Sequence, residues 1–188
     1  VSVTVPVKKE TLKAVAGLKA VSKSAGVEIT FSKVANASSY EIYRVAGKKA
    51  AQKIATVTDA AYLDKSAPGG KKLTYTVVAL SNNPSYIKSV SSSGVSLTLP
   101  KAVSNLKVKA VSGGVKISFK KVKGAKSYTI YRSSKKNGVY KKVKTLKSKK
   151  SSYIDKKAKK GKNYYKVIAK KGKAYSPSSK VKKVKLKK

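Results

Sequence analysis

Cysteine, histidine, methionine and tryptophan are all absent from this chain of 188 residues, and acids are scarce, with 6 Asp+Glu. Without cysteine there is no disulfide framework. Without cysteine or histidine, neither a Ser-His-Asp nor a Cys-His constellation can be assembled, and zinc lacks the ligands it prefers. The acids are Glu10, Glu28, Glu41, Asp59, Asp64 and Asp155. Calcium wants clustered carboxylates, and glycoside hydrolysis wants two flanking one bond. Asp64 and Asp155 occupy equivalent positions of an internal repeat, so they are not such a pair. They read as turn or strand-end acids bonded to local backbone. A Ser–Lys pair stays open, but serine and lysine are too frequent here for it to be a signal. Pro68-Gly69-Gly70-Lys71-Lys72 lacks the strand-loop-helix setting of a phosphate loop and reads as a hairpin turn. The chain is therefore expected to be no enzyme, with no cofactor and no metal. No run of about 18 apolar residues occurs, so no membrane-spanning segment is expected. The lack of methionine predicts that residue 1 is a processed or cut end.

What is abundant is positive charge. Lys+Arg number 46, and the formal net charge is +40. Residues 1–100 hold 14 bases and 5 acids, a net of +9, whereas residues 101–188 hold 32 bases and 1 acid, a net of +31. Only Arg44 and Arg132 are arginines. Lysine is a hydrated point charge suited to diffuse attraction, while bidentate recognition of phosphate or base edges favours arginine. The balance predicts a polyanionic partner met without fine geometry.

The chain repeats itself. Gly26 to Arg44, GVEITFSKVANASSYEIYR, returns 88 residues later as Gly114 to Arg132, GVKISFKKVKGAKSYTIYR, with 12 of 19 positions identical. The shared positions are mostly those a strand pair would bury. Four of the seven differences gain a lysine in the second copy: Glu28 against Lys116, Ser32 against Lys120, Ala35 against Lys123 and Ser38 against Lys126. One scaffold thus occurs twice, and one copy is basic.

The apolar residues alternate in short runs rich in Val, Ile and Tyr, as strands do. Leu18-Lys-Ala-Val-Ser, Val27/Ile29/Phe31, Tyr40/Ile42, Lys53 to Val57, Tyr62 to Asp64, Tyr75/Val77/Ala79 and Val95/Leu97/Leu99 make one set. Leu106/Val108/Ala110, Val115/Ile117/Phe119, Tyr128/Ile130, Tyr140 to Leu146, Tyr153 to Asp155, Tyr165/Val167/Ala169 and Val184/Leu186 make the second. About seven short strands per ~90 residues with turn signals between them predict an all-β chain of two tandem β-sandwiches. Residues 18–100 form the first and 101–188 the second. Residues 1–17 read as the end of a preceding repeat plus a linker, because Val1 to Pro6, VSVTVP, echoes Val95 to Pro100, VSLTLP. The chain is expected to be a piece of a longer array. A short helix at Glu10 to Val15 is the less favoured reading of the linker.

These motifs resemble the fibronectin type III family in its lysine-rich bacterial form. They are Ile117-Ser-Phe119-Lys-Lys-Val-Lys-Gly-Ala125, Tyr128-Thr-Ile-Tyr-Arg132, Lys136-Asn-Gly-Val-Tyr140-Lys-Lys-Val-Lys-Thr145, Tyr153-Ile-Asp155 and Gly161-Lys-Asn-Tyr-Tyr165-Lys-Val-Ile-Ala169. The resemblance covers nearly all of residues 18–188 and implies two seven-stranded fibronectin type III-like sandwiches. The family usually has Trp where Phe31 and Phe119 stand; Phe fills the core but gives up the indole donor. The resemblance also implies a tyrosine corner, in which Tyr75 and Tyr165 bond back to the chain.

Alternation points to one candidate site. With Tyr165, Val167 and Ala169 inward, Tyr164, Lys166 and Ile168 face outward. With Val184 and Leu186 inward, Lys183 and Lys185 face outward, as does Tyr131 beside Tyr128 and Ile130. The implied fold puts these strands in one sheet, so Tyr131, Tyr164, Lys166, Lys183 and Lys185 should share an anion-binding face. The same face of the first copy carries Tyr43, Thr74, Thr76, Ser96 and Thr98 and is nearly neutral. Two readings stand side by side: a platform for an acidic polymer, or a solvated face whose lysines keep the sheet soluble and blunt its edges.

The function expected from all this is a non-catalytic surface or spacer module. It would be extracellular, at the cell surface or cell wall of a bacterium. It would hold an anionic cell-envelope polymer or acidic glycan, and neighbouring domains of the same array would be further partners. Nucleic acid would bind only non-specifically. The alternative is a carbohydrate- or protein-binding accessory of a larger secreted glycan-degrading enzyme, working through exposed tyrosines such as Tyr43 or Tyr131.

Overall fold

The computed structural model describes residues 8–187. The echo of a strand at Val1 to Pro6 lies outside the described residues. Among the described residues the regular structure is all strand, with no helix. Two compact units form, one built on Ala25–Ala67 and Lys71–Leu97, the other on the chain from Thr98 onward.

The first unit contains β1 (Glu10–Thr11), β2 (Lys19–Lys23), β3 (Gly26–Thr30), β4 (Ser39–Ala46), β5 (Gln52–Val57), β6 (Ala61–Asp64), β7 (Lys72–Leu80), β8 (Tyr86–Ile87) and β9 (Val95–Thr98). Strands β2-β3-β6 make one sheet and β5-β4-β7-β9 the other. The second unit contains β10 (Ser104–Val111), β11 (Gly114–Lys120), β12 (Ser127–Ser133), β13 (Lys141–Lys147), β14 (Ser152–Asp155), β15 (Gly161–Lys171), β16 (Ala174–Tyr175) and β17 (Lys182–Leu186). Here β10-β11-β14 face β13-β12-β15-β16, and β17 also pairs with β15. Each unit is thus a three-stranded sheet against a larger one. Hydrophobic alternation selects the register, since a one-residue slip would turn each apolar face to water.

The expected core is largely the observed one. Val27, Ile29, Tyr40, Ile42, Tyr75, Val77 and Ala79 are buried in the first unit. Val115, Ile117, Phe119, Tyr128, Ile130, Tyr165, Val167 and Ala169 cluster in the second. Phe31 meets Tyr40 edge-on at 4.8 Å between ring centroids, and Phe119 meets Tyr128 at 4.9 Å. Gly26 and Gly114 open β3 and β11 with φ near 150°, and a Cβ at either would come within 2.4 Å of the carbonyl oxygen of Asp64 or Asp155. No side chain fits at either position.

Several expectations need correcting. Glu10–Thr11 is neither bare linker nor helix. It pairs in parallel with Tyr86–Ile87, and Leu12 and Val15 beyond it are buried. Ala110 is exposed at the end of its strand, past a register shift between Ser104 and Lys107. Ile168 is buried although it faces outward. It lies between Lys166 and Lys170, whose long stems can cover apolar surface. The Pro68-Gly69-Gly70 bend is not a hairpin, because the strands it joins, β6 and β7, belong to different sheets.

The last strand of each unit is interrupted. Ser89 and Ser92 in one unit, and Ser176 and Ser179 in the other, give their backbone N–H to Ala79, Val77, Ala169 and Val167 in the usual way. The return bond goes to the hydroxyl. The N–H groups of Ala79 and Val77 donate to Ser89 and Ser92 Oγ at 2.9 and 3.0 Å, and those of Ala169 and Val167 to Ser176 and Ser179 Oγ at the same distances. Each hydroxyl then donates to the carbonyl of the following residue. The ladder is therefore satisfied by side chains where the backbone has turned away.

Candidate functional site

Both arginines are tied to buried acids. Arg44 Nη1 donates to Asp64 Oδ2 and Arg132 Nη1 to Asp155 Oδ2, each at 2.6 Å. Tyr75 and Tyr165 donate their hydroxyls to the same carboxylate oxygens at 2.8 and 3.0 Å. This corrects the expected corner, since these tyrosines bond to a buried acid rather than to backbone. The bond back to the chain is made from the neighbouring strand of the same sheet. Tyr40 and Tyr128 accept the N–H of Val34 and Val122 at 2.9 and 2.8 Å. The acids do meet local backbone as expected, through Ser66 N–H and Lys157 N–H. Burial alone would raise the Asp64 carboxyl, but hydrogen bonds from Ser66, Arg44 and Tyr75 outweigh it and hold the group below its ordinary value. Burial first, and then the adjacent carboxylate, pushes the Tyr75 and Tyr165 hydroxyls far up.

Asp155 is the sole acid of residues 101–188, and it is 1% exposed. Its partners are Arg132, Tyr165 and the Lys157 N–H. No lysine in this half of the sequence therefore has a free side-chain carboxylate in the same half to pair with.

The strand register brings the predicted site residues onto one face. Lys166 lies opposite Tyr131. Tyr164 lies opposite Lys183, and Lys162 opposite Lys185. Tyr131, Tyr164 and Lys166 are partly covered, whereas Lys183 and Lys185 are exposed. Lys166 Nζ stands 4.5 Å from the centroid of the Tyr140 ring, so part of its attraction is spent on that π face. Tyr140 in turn donates to the Lys136 carbonyl at 2.8 Å. Burial, and then repulsion from Tyr164, raises its hydroxyl pKa.

The matching face of the first unit is compensated internally. Lys53 Nζ sits 2.7 Å from Glu41 Oε1, and Tyr43 donates to Glu41 Oε2 at 2.7 Å. Hydrogen bonds from Lys53 and Tyr43 lower the Glu41 carboxyl, and the same contacts raise Lys53 and Tyr43. Thr74 and Ser96 share a hydrogen bond at 2.8 Å. In the second unit Thr129 stands where Glu41 does and meets only Thr145, at 3.3 Å. Lys142, the register equivalent of Lys53, lies opposite Tyr131 with no acid beside it.

Sequence reasoning missed a second basic feature. A cleft of about 920 Å³ opens between β13 and β14, edge strands of opposite sheets, and eight lysines line it. They come from β13, from the loop after β14 and from the start of β15, around Val139, Val143, Tyr153 and Ile154. The signal lay in the repeat beyond the 19-residue match. Cross-strand partners equate Gln52 with Lys141 and Ala55 with Lys144. Among the described residues no group of three or more Asp or Glu side chains is placed to hold a metal.

No family model matches the sequence, and no curated protein matches it. Solved structures similar to the chain include the FN1-FN3 domains of chicken CNTN1, at 15% identity and a TM-score of 0.43, over 96% of this chain and 69% of that one. A two-domain fibronectin type III segment of chicken tenascin is 17% identical at a TM-score of 0.42, over 92% and 99%. An Fn3-like protein from Clostridium thermocellum is 31% identical at a TM-score of 0.39, over 46% of this chain and 92% of that one. Both units share the β2-β3-β6 and β5-β4-β7-β9 plan, the same buried Arg–Asp–Tyr network and the same hydroxyl-bridged last strand. The chain is a tandem pair of β-sandwiches of one plan, similar to fibronectin type III domains.

Proposed function

We propose that this chain is an extracellular spacer and adhesion module of a bacterial surface, whose second domain holds anionic envelope polymers or acidic glycans by charge. A fibronectin type III-like fold suggests a non-catalytic module, and such domains are commonly extracellular. The observation that carries the reading is the sequestration of Asp155. The second domain bears its lysines without one available carboxylate, while the first domain pairs Lys53 with Glu41 on the equivalent face. Ammonium groups two residues apart on a strand, ~7 Å, repel by about 0.6 kcal/mol per pair even in water. A polyanion relieves many such pairs at once and releases its own counterions. Tyr131, Tyr164, Lys166, Lys183 and Lys185 share one sheet face of this domain, and its lysines add to the long-range attraction.

The test is the affinity of the full chain for teichoic acid as salt rises from 50 to 200 mM. With about six contacts, and single-strand behaviour, affinity should fall on the order of 10²- to 10³-fold. Affinity that does not change with salt would refute the mechanism.

A further inference from the structure

The cleft between β13 and β14 is better built for a polymer than the open sheet beside it. We infer that it is the seat of a flexible, unbranched phosphodiester chain, an inference that rests on the polyanion reading above. Its volume, about 920 Å³, is at the upper end for a small-ligand pocket, so it takes a segment of polymer rather than one ion. Lysines line it from three segments of the chain, the one acid in its wall, Asp155, is paired with Arg132, and a concave wall of net positive charge concentrates the field more than a flat face does.

Comparison with the first domain shows the charge was placed there at a cost. Ser66 and Lys157 are equivalent, since the N–H of each bonds Oδ1 of the buried acid. Ser66 adds a second bond from its hydroxyl to Asp64 at 2.7 Å and accepts one from Arg44 at 3.0 Å. Lys157 has no hydroxyl to offer, so the second domain gives up that bond to its buried carboxylate and gains a cleft lysine. A lysine serving only solubility has no need of that position.

The chemistry of the lining selects the occupant. The domain's only guanidinium is tied through Nη1 to Asp155 in the cleft wall, so compact ammonium charges supply most of the attraction, and lysine serves phosphate as a point charge. Lys141, Lys142 and Lys144 fall within about 10 Å along β13. Widely spaced glycan carboxylates would leave most of them unmatched. Val139 and Ile154 put exposed apolar surface between the charges, at 83% and 42% exposure, which fits the carbon linkers of a diester and not a bare phosphate anhydride.

The test compares two triple variants of the full chain with poly(glycerol phosphate) as probe. Lys141→Gln/Lys144→Ala/Lys157→Ser restores the residues of the first domain to the cleft. Lys166→Gln/Lys183→Gln/Lys185→Gln discharges the sheet face. The cleft variant should lose more than tenfold in affinity at 50 mM salt and about 2 in the slope of log affinity against log salt. The face variant should lose less than threefold. The replaced lysines are exposed apart from Lys166, which is partly covered, and urea midpoints equal to that of the unaltered chain confirm that the fold is intact. Equal losses, with the salt dependence kept, overturn the cleft assignment and leave the broader reading standing. Salt-independent binding by the unaltered chain overturns both. Inorganic polyphosphate or hyaluronate bound more tightly per charge than poly(glycerol phosphate) overturns the phosphodiester assignment.

Discussion

Replacing each buried aspartate by asparagine should cost the two domains differently. Asp64 accepts four hydrogen bonds, from Arg44, Tyr75, and Ser66 N–H and Oγ, and the Arg44 side chain is 12% exposed. Asp155 accepts three, from Arg132, Tyr165 and Lys157 N–H, and the Arg132 side chain is 22% exposed. Removing one partner of a buried pair costs about 3–5 kcal/mol, because the remaining charge is left without compensation. Each net hydrogen bond to a charged group adds about 1.5–3 kcal/mol, reduced here because asparagine still accepts some of them. Asp64→Asn should therefore cost about 4 kcal/mol and Asp155→Asn about 3. Native domains hold about 5–15 kcal/mol, so either loss is large. Because a tandem chain need not unfold in one step, the assay should report each domain separately. Amide hydrogen exchange of β3 and β11 across a urea series does so in the intact chain. The reasoning is refuted if Asp155→Asn is the costlier change, or if both cost under about 1 kcal/mol.

Three further outcomes follow from the same structure. The Asp64 carboxyl is held below its unfolded value of about 3.9, so its contribution is present above that pH and lost as pH falls through the depressed value; β3 amides should lose protection over that window, and Asp64→Asn should flatten the dependence. Ser176→Ala removes the acceptor of the buried Ala169 N–H and should cost about 1–3 kcal/mol by urea unfolding, whereas a cost near zero would mean that the bond contributes nothing. Gly114→Ala forces a Cβ to 2.4 Å from the Asp155 carbonyl oxygen, so the second domain should fail to give dispersed amide resonances; Gly113→Ala, where a Cβ meets nothing within 4 Å and only the positive φ of 78° is strained, should cost about 1 kcal/mol and keep them.

Alternation made the sandwiches legible. Val115, Ile117 and Phe119 announce a strand because each apolar residue is followed by one that can face water, and the repeat shows the same plan twice. The outward set Tyr131, Tyr164 and Lys166 was readable for the same reason, since cross-strand neighbours follow once the pleat is fixed. The buried Arg132–Asp155 pair was not, because the two residues lie 23 apart and no local pattern links them. The serines of the last strand were also invisible. Their hydroxyls replace backbone carbonyls only after the strand has peeled from its neighbour, and from sequence Ser176-Pro177-Ser178-Ser179 looks like any polar turn. The cleft needed the third dimension, for β13 and β14 belong to different sheets.

The division of labour between the two kinds of base has a chemical consequence. The lysines of the second domain carry its outward charge, while its single arginine is locked to the interior acid. Acetylation neutralises amines and leaves guanidinium groups alone. An acetyl donor would thus strip this domain of nearly all its positive surface without touching the ion pair that holds its sheets together. Grip on a polymer would be erased by a mild surface reaction that leaves the scaffold standing.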